Sequence, residues 1–305
     1  MTGGLAVIVV NYGSHELLAQ NLAGLAFDEI GARCVVVDNF TSQAEVSSLR
    51  ALADSHGWEV VASPTNCGFG AGVNLGVARA AELGSDAYLL LNPDVQITVE
   101  DIRALGAEVS SHPMDVVSPR ILNSTGGVWF AGGELDVETG RVRTSRETEM
   151  DAPFSWLTGA CLAVSKQVWQ ATGGFDPDYF LYWEDVDYSQ RAKAVGARLV
   201  VRNDLVVTHD VGATQGTGKS AVYLRFTSRN RLLFASKWLP KRIQRRWIRQ
   251  TPAESYRVLV RGGRRSLLQG KKVWAVVAGS VSGASAVVGS GSTQATPSAI
   301  GVGSR

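Results

Sequence analysis

Cysteine is scarce in this chain, and its pattern excludes two common kinds of site. Cys34, Cys67 and Cys161 are odd in number, lie far apart and form no CxxC pair. Disulfide frameworks and thiolate zinc sites both need paired or closely spaced cysteines. The sequence therefore predicts neither of them, and a reducing cytosol suits it best.

Long hydrophobic runs are also missing. No uninterrupted apolar run reaches the roughly 18 residues that a membrane-crossing helix needs. The apolar run at residues 5–10 is too short for a signal peptide and lacks a basic leader. We therefore expect no transmembrane helix. The 305 residues, 45% hydrophobic and 19% charged, have the composition of a soluble globular protein with a substantial core.

Acidic residues are almost absent from the C-terminal part of the chain. Residues 1–218 carry 13 Lys and Arg against 27 Asp and Glu, whereas residues 219–305 carry 17 against one. This asymmetry predicts an acidic catalytic body, residues 1–218, followed by a basic segment that meets an anionic partner. Nucleic acid is disfavoured as that partner because the acidic body would repel a polyanion.

The basic segment has the pattern of helices that lie at membrane surfaces. Between residues 219 and 272 the cations alternate with apolar residues, namely Trp238, Leu239, Ile243, Trp247 and Ile248. This mixture favours a basic helical extension on an anionic membrane surface, and a helix pair packed on the acidic body is the alternative. The remaining residues, 273–305, are rich in Gly, Ser, Ala and Val and are expected to be disordered.

Short apolar strands alternate with helical segments in the first half of the chain. Such alternation predicts an α/β fold with a doubly wound, mostly parallel sheet flanked by helices. Three of the strands end in polar residues, at Asn11, at Asp38 and at Asn92 with Asp94. Because parallel strands end at one edge of a sheet, these side chains are predicted to converge on one cleft.

The strongest strand signal ends at Asn92-Pro93-Asp94. Residues 88–91 are apolar without alternation, as in a strand buried on both faces, and Pro93 ends the hydrogen-bonded ladder. A carboxylate in this place suits a divalent cation, whereas the alternative is a functionally silent turn. His209 ends a later β-like segment and is the natural nitrogen partner if Asp94 binds a metal. A structural histidine is the alternative.

A glycine-rich stretch, residues 66–76, follows the third predicted strand. Glycines ahead of a helix allow a ligand to approach free backbone N–H groups, such as those that bind a diphosphate. Close packing of a helix on the sheet explains the same residues equally well. The spacing departs from G-x-G-x-x-G, which disfavours a dinucleotide site.

An acidic cluster, Glu184, Asp185 and Asp187, opens a predicted helix. Mutual repulsion of the three carboxylates keeps one of them basic or available to a metal. Arg191 lies four residues after Asp187 and can pair with it, so we assign function to Glu184 and Asp185 and structure to Asp187. The neighbouring aromatic residues, including Trp183, suit stacking on a sugar, with core packing as the alternative.

Residues 213–220 resemble a phosphate-binding loop in which alanine replaces the first glycine. A nucleoside triphosphatase is disfavoured, because only 85 residues follow and they carry almost no carboxylates to bind magnesium.

The order of the motifs resembles one enzyme family. V-I-V-V-N-Y, V-V-V-D-N, N-x-G-F-G-x-G-x-N-x-G, L-L-L-N-P-D, T-G-A, G-G-F-D, F-x-Y-W-E-D-V-D and V-x-T-H follow one another over residues 5–235. This series is similar to the inverting family 2 glycosyltransferases of GT-A fold, particularly the bacterial rhamnosyltransferase-like members. The ordered set is highly specific even though each motif alone is weak.

The resemblance implies a role for each matching position. Asp185 matches the general base, Glu184 its acidic neighbour, and Trp183 an acceptor-side aromatic residue. Asp94 matches the metal-binding acid and His209 the later metal ligand. The positions that match donor-binding residues are Asn11 and Tyr12 in the nucleotide loop, Asp38 at the base or ribose, Asn66, Gly68 and Asn74 in the glycine turn, and Asn92, which replaces the first acid of Asp-x-Asp.

The resemblance also implies a reaction. It is a transfer, dependent on Mg²⁺ or Mn²⁺, of a sugar such as rhamnose from a dTDP- or UDP-sugar to a glycan or polyprenyl-linked acceptor in cell-envelope polysaccharide synthesis. The expected location is cytoplasmic, peripheral on the inner face of the plasma membrane. A nucleotide-binding regulatory module is the alternative; it would retain Asp38 and the glycine turn but would not need the Glu184-Asp185 pair.

Overall fold

A computed structural model describes residues 4–145, 154–210, 219–261 and 263–289. These residues form two compact units. Among the described residues, the first unit comprises 4–134, 143–145, 154–180 and 184–210, and the second comprises 135–142, 181–183, 219–261 and 263–289. The segment that resembles a phosphate-binding loop lies mostly outside the described residues, at 211–218.

The strands of the described residues are β1 (Gly4–Asn11), β2 (Ala32–Asp38), β3 (Glu59–Ala62), β4 (Ser85–Leu91), β5 (Val95–Gln96), β6 (Asp115–Asn123), β7 (Val128–Phe130), β8 (Gly133–Asp136), β9 (Arg141–Thr144), β10 (Cys161–Ser165) and β11 (Arg198–His209). The helices are α1 (His15–Asn21), α2 (Gln43–His56), α3 (Phe69–Glu82), α4 (Val99–Ser111), α5 (Lys166–Thr172), α6 (Glu184–Ala194), α7 (Ala221–Trp238), α8 (Lys241–Val260) and α9 (Gly270–Gly289). Short 3₁₀ turns occupy Phe27–Ile30 and Arg264–Leu268.

The first unit is built on one mixed sheet with the order β3-β2-β1-β4-β10-β6-β11-β5, in which β7 also pairs with β6. Strands β1 to β4 pair in parallel, as do β6 and β11, whereas β10 runs antiparallel to both β4 and β6. The central strands are apolar and fully buried, as expected for a sheet covered on both faces. The predicted doubly wound, mostly parallel sheet flanked by helices is confirmed.

The carboxyl ends of the parallel strands carry the polar residues that the sequence analysis placed there. Asn11 pairs in register with Asp38, at the ends of β1 and β2. His209 ends β11 opposite Asn123, the last residue of β6. The β-like segment that ends at His209 is part of the long strand β11, which has a register shift between Arg202 and Val206.

The glycine-rich stretch is helical from Phe69 onward, whereas the sequence analysis placed residues 66–76 ahead of the helix. The early start is possible because Gly72 and Gly76 lie directly on the sheet. A Cβ added to Gly76 would lie 2.5 Å from Ile8 Cγ2, and one on Gly72 would lie 3.0 Å from Val10 Cγ1. These two glycines therefore serve close helix–sheet packing, the alternative that the sequence analysis left open.

Replacing Gly76 with alanine should destabilise the protein by about 1–3 kcal/mol, because the new methyl group overpacks α3 against β1. Gly24→Ala is the matched control, since a Cβ at Gly24 meets nothing within 4 Å. Chemical denaturation measures both changes. Equal stability of the two variants would contradict this account of the packing.

The second unit has an aromatic core at Trp247. Its ring stacks on Phe234 at a centroid distance of 6.3 Å and lies edge-on to Trp183 at 6.3 Å. The buried Arg231 guanidinium lies 4.7 Å from the Trp247 ring and donates to the carbonyl oxygens of Thr139, Gly140 and Trp247. The core of this unit is thus partly made of residues from a basic, amphipathic stretch.

This core corrects one sequence expectation. Leu239, Ile243 and Trp247, which the sequence analysis assigned to a membrane surface, are buried. An amphipathic pattern shows that one face of a helix is apolar, but the same pattern suits a protein core and a membrane. These three residues are therefore not available to a membrane in this structure.

The prediction of disorder from residue 273 onward is also wrong for residues 273–289. Residues 270–289 form helix α9, and residues 290–305 lie outside the described residues. The small residues that indicated disorder allow α9 to pack closely. A Cβ on Gly279 would lie 2.1 Å from the carbonyl oxygen of Arg225, and one on Gly283 would lie 2.6 Å from that of Arg229, both on α7.

Helix α9 is also, among the described residues, the one helix long and apolar enough to cross a membrane by length and composition. The most apolar 18 residues of α9 have a mean hydropathy of 1.3, and 28% of that stretch is buried. The sequence analysis expected no such helix because Ser and Gly interrupt its apolar run.

Candidate active site

Asp94 and His209 meet at the carboxyl edge of the sheet. The short strand β5 pairs antiparallel with the end of β11, so that Val95 lies opposite His209. His209 Nε2 lies 2.9 Å from Asp94 Oδ1, and both side chains are largely buried. The Asp94 carbonyl accepts a hydrogen bond from Asp210 N at 3.1 Å, which holds the two chain segments together. Two residues 115 positions apart are thus in contact.

The surroundings of this pair suit a cation. An imidazole nitrogen and a carboxylate oxygen are good ligands for a divalent ion, and His209 Nδ1 is buried without a hydrogen-bond partner among the described residues. Trp129 lies edge-on to the His209 ring, with centroids 4.6 Å apart, and fixes its orientation. The residues present therefore fit a metal site of one oxygen and one nitrogen ligand from the protein.

Asp185 occupies the first turn of α6 and is held by two backbone donors. Val186 N donates to Asp185 Oδ1 at 2.8 Å, and Gly159 N donates to Oδ2 at 3.3 Å. Burial raises the pKa of Asp185 to about 6, and these two N–H groups limit the rise. A carboxyl group with this pKa accepts a proton near neutral pH, as a general base must.

The backbone at Gly159 and Ala160 links Asp185 to the chain segment that carries Asp94. Gly159 N contacts Asp185, and the next carbonyl, Ala160 O, accepts a hydrogen bond of 2.9 Å from Asn92 N. Asn92 precedes Asp94 by two residues, and Asn92 O accepts from Val95 N at 3.1 Å. The base and the candidate metal ligands therefore lie on either side of one short stretch of backbone.

Glu184, beside the base in sequence, is buried, and its Oε2 has no hydrogen-bond partner among the described residues. Burial raises the pKa of Glu184 well above its ordinary range, and the charge of Asp185 raises it further. The titrations of the two neighbouring carboxyl groups are therefore linked. Asp187 pairs with Arg191 at 2.8 Å, which confirms its predicted structural role.

Asp38, at the end of β2, is a buried acid with few partners. Neither of its carboxylate oxygens has a hydrogen-bond partner of standard geometry among the described residues. Burial and the charge of Glu45 raise the pKa of this group, whereas Arg50 and the neighbouring Asn11 amide lower it. Buried carboxylates without donors are uncommon, because leaving them unsatisfied costs about 1–3 kcal/mol or more. Asp38 is therefore suited to accept hydrogen bonds from a ligand. Tyr12, in the loop after β1, is largely exposed.

Asn11 is held in place by Glu45, in the first turn of α2. Glu45 Oε1 accepts from Asn11 Nδ2 and from His15 N, each at 2.9 Å. Ser42 caps α2, since its Oγ accepts from Glu45 N at 3.2 Å. The Glu45 carboxylate, however, points to the β1 loop, which a capping pattern alone could not show.

Two predicted donor-binding amides hold backbone in this structure. Asn66 Oδ1 accepts from Gly68 N at 2.9 Å, within the turn before α3. Asn74 accepts from Phe175 N at 2.8 Å and donates to Phe175 O at 2.7 Å. Gly68 has φ of +89°, and a Cβ there would lie 2.2 Å from Phe180 O. These residues shape the loops of the site, and their contact with a donor stays a prediction.

Trp183 is buried in the second unit against Phe234 and Trp247. Its backbone φ is +74° and that of Tyr182 is +68°, a strained pair that directly precedes Glu184 in the chain. Asn230 Nδ2 donates to the carbonyl oxygens of Leu181 and Tyr182 at 2.9 and 2.7 Å and so stabilises this conformation. The acceptor-binding role of Trp183 stays a prediction.

A second cluster of possible metal ligands is Glu108, His112 and Asp115. Arg202 pairs with Glu108 at 2.6 Å, and Arg198 pairs with Asp115 at 2.6 Å. Asp115 begins β6, so this cluster lies at the amino edge of the sheet, about 26 Å of strand away from Asn123 and His209. The two arginines neutralise its acids, so we assign it a structural role.

Comparison with known proteins agrees with this geometry. Residues 3–232 match the family described as "Glycosyltransferase like family 2". The chain belongs to glycosyltransferase family 2. It is therefore a glycosyltransferase, as the sequence motifs predicted.

Two curated relatives are similar over most of the chain. A low-salt glycan biosynthesis hexosyltransferase of Haloferax volcanii is 30% identical over 264 residues, covering 80% of each chain. An N-acetylglucosaminyl-diphospho-decaprenol L-rhamnosyltransferase of Mycobacterium tuberculosis is 27% identical over 224 residues, covering 64% of this chain and 72% of the relative.

Solved structures support the GT-A fold. GalNAc-T7 with UDP, GalNAc and Mn²⁺ superposes with a TM-score of 0.64 at 15% identity, over 90% of this chain and 54% of the other. A mannosyltransferase of Pyrobaculum calidifontis with GDP-mannose and Mn²⁺ gives 0.55 at 12% identity, over 94% and 88%.

Proposed function

We propose that this glycosyltransferase moves a sugar, with rhamnose as the first candidate, from a nucleoside-diphosphate sugar to a hydroxyl of a lipid-linked glycan acceptor, with inversion at the anomeric carbon. The observation that carries the proposal is the arrangement of Asp185. Its carboxylate has a raised pKa and lies next to the backbone that contacts the Asp94 segment. This chain of contacts supports the proposal that Asp185 and the Asp94–His209 pair act on one substrate.

The residues divide the reaction between them. Asp185 accepts the proton of the acceptor hydroxyl as that oxygen attacks the sugar from the side opposite the leaving group. Attack from that side inverts the configuration. Glu184 lies beside it in the chain, and burial together with the charge of Asp185 raises the pKa of Glu184. Gly159 N and Val186 N hold the carboxylate in one orientation.

Asp94 and His209 would hold a divalent cation, Mg²⁺ or Mn²⁺. Such an ion neutralises the charge that develops on the leaving nucleoside diphosphate. The buried Asp38 would accept hydrogen bonds from the base or ribose, and the exposed Tyr12 ring would pack against the nucleotide. Asn11, Asn66 and Asn74 would keep the surrounding loops in shape.

The choice of donor and acceptor rests on the relatives. Two named relatives transfer L-rhamnose or a hexose, one of them to a diphospho-decaprenol-linked sugar. We therefore place a dTDP- or UDP-sugar and a polyprenyl diphosphate-linked glycan first among the substrates. A role in cell-envelope polysaccharide synthesis, at the inner face of the plasma membrane, follows from such an acceptor.

The test is a donor and acceptor screen with the purified full-length chain. Nucleoside diphosphate release is measured with dTDP-, UDP- and GDP-sugars, with Mn²⁺ or Mg²⁺, and with a polyprenyl diphosphate-linked N-acetylglucosamine as acceptor. We expect metal-dependent turnover and an inverted linkage by NMR. Donor binding without turnover on any acceptor would instead favour the nucleotide-binding regulatory module.

A further inference from the structure

Helix α9 has an exposed apolar stripe. Trp274, Val277, Val281 and Val288 are 71%, 47%, 62% and 78% exposed. Steps of three, four and seven residues place them on one side of a helix with 3.6 residues per turn. The buried residues of α9, from Ala275 to Val287, lie on the opposite side. We call these four exposed residues the α9 stripe.

The stripe carries no charge, but cations precede it. Helix α9 has no Asp, Glu, Lys or Arg after Lys272. Lys271 and Lys272 begin the helix, and Arg264 and Arg265 lie in the preceding 3₁₀ turn, where Leu268 is 87% exposed. No acidic residue follows Glu254 in the sequence. An apolar strip of about 21 Å thus has only positive charges near it.

This combination identifies the occupant by its chemistry. A protein core would leave the stripe covered, and an acidic protein would attract the cations but not the valines. An anionic bilayer offers both partners, because its headgroups attract Lys and Arg while the acyl boundary takes up Trp and Val. Trp is favoured at that boundary, where its ring is part apolar and part polar.

We propose that the α9 stripe, with Leu268 and the four neighbouring cations, docks the second unit on the surface of an anionic lipid bilayer, with α9 in the plane of the interface. The proposal assigns this role to α9 and not to the apolar residues of α8, which are buried. A lipid-linked acceptor of the proposed transfer would lie in the same bilayer, but the binding itself requires no donor and no turnover.

The packing of α9 favours an in-plane helix over one that crosses the bilayer. Gly279 and Gly283 lie against the backbone of Arg225 and Arg229 on α7. A crossing α9 would either take these arginines into the hydrocarbon or lose this packing. Burying an arginine at the bilayer centre is costly. A helix at the interface keeps its packing on α7 and leaves the arginine charges in water.

Co-sedimentation with vesicles tests the proposal on the full chain. We expect binding to vesicles of phosphatidylcholine with phosphatidylglycerol, weak binding to phosphatidylcholine alone, and release by added salt. Trp274→Ser/Val281→Ser should lower partitioning at least about tenfold, because two apolar side chains no longer insert. Lys271→Gln/Lys272→Gln should lower it about 25-fold, since each charge near the surface is worth about fivefold.

Matched controls come from the first unit. Val206→Ser removes an exposed valine from β11, and Arg33→Gln/Arg103→Gln removes two exposed cations. Both control variants should partition like the wild type. Circular dichroism melting of every variant shows whether it is folded, and donor binding by each variant is measured separately. A failed transferase assay with intact vesicle binding would then concern the proposed function alone.

The depth of Trp274 gives a readout that fold stability does not affect. Brominated lipid should quench wild-type tryptophan fluorescence, and Trp274→Phe should keep the partitioning but lose most of this quenching. Alkaline carbonate should release the protein from the vesicles, as it does for in-plane helices. Resistance to carbonate would overturn the in-plane arrangement in favour of a crossing helix.

Three other results would overturn the proposal. In the first, the full chain stays in the supernatant with anionic vesicles at low salt. In the second, a dimer seen by light scattering is lost in Trp274→Ser/Val281→Ser while vesicles are not bound, which assigns the stripe to a second copy. In the third, only a chain ended after Gly289 binds, which assigns the stripe to residues 290–305.

Discussion

Replacing Asp185 with asparagine should lower turnover by about 10²–10⁴-fold, with donor affinity close to that of the wild type. Asparagine keeps the shape of the side chain, but its single amide oxygen can accept only one of the two hydrogen bonds that Gly159 N and Val186 N donate to the carboxylate. It cannot accept a proton from the attacking hydroxyl. The loss should therefore appear in kcat and not in the dissociation constant of the nucleotide.

Asp54→Asn is the matched control. It makes the same chemical change in the same unit, at a residue that is exposed on α2. Steady-state kinetics and calorimetry with the nucleoside diphosphate measure the two variants. If Asp185→Asn turned over at close to the wild-type rate, Asp185 would not be the base, and Glu184 would be the next residue to test.

The pH profile tests the same assignment by another route. Because burial raises the pKa of Asp185 to about 6, kcat/KM should rise about tenfold per pH unit below 6 and level off above it. The acidic limb reports the Glu184-Asp185 pair, whose titrations are linked. A wild-type profile that is flat from pH 5 to 8 would contradict a base with this environment.

Stability should change in the opposite direction to activity. The folded pKa of Asp185 lies above its ordinary value of 3.8, so the folded state binds more protons than the unfolded state between the two values. The favourable contribution of the protonated group is present below pH 3.8 and is lost as pH rises through about 6. Asp185→Asn should therefore melt at a higher temperature than the wild type at pH 7, and the difference should shrink at pH 4.

The sequence predicted the carboxyl edge of the sheet well because strand ends have strong local signals. Pro93 stops a buried strand, and Asp94 and His209 each follow an apolar run. The carboxyl ends of parallel strands lie at one edge of a sheet, so the sequence could predict that residues far apart in the chain lie close together there. The pairing of β5 with β11 brings His209 Nε2 to 2.9 Å from Asp94 Oδ1, and no local pattern in the sequence indicated this pairing.

The errors have a common physical cause. The glycines of α3 and the small residues of α9 were assigned to loops or disorder because glycine lowers helix propensity by about 1 kcal/mol. Tertiary packing reverses that preference where two backbones must approach closely, as at Gly76 on Ile8 and at Gly279 on α7. Composition alone cannot identify the surface that a small residue will meet. The same limit applies to Trp247, whose amphipathic setting did not show whether its apolar face meets protein or lipid.

Removing the carboxylate of Asp94 should abolish metal-dependent donor binding. Residues that contact a metal only through another ligand are worth about 10–100-fold in metal affinity, so loss of a direct carboxylate ligand in Asp94→Ala should exceed about 100-fold. His209→Ala should lose at least about tenfold. Calorimetry with Mn²⁺ and a nucleoside diphosphate measures both.

If the Asp94–His209 pair had only a structural role, these substitutions would also destabilise the protein. The decisive quantity is therefore the rise in melting temperature when ligand is added. Wild-type protein should melt at a higher temperature with Mn²⁺ and nucleotide than without them, because ligand binds the folded state. Asp94→Ala should lose this gain even where its melting temperature without ligand has fallen. His112→Ala, in the second cluster of acids, should keep the gain in full. An unchanged gain in both Asp94→Ala and His209→Ala would mean that their contact of 2.9 Å is an ion pair of the fold and that the metal binds elsewhere.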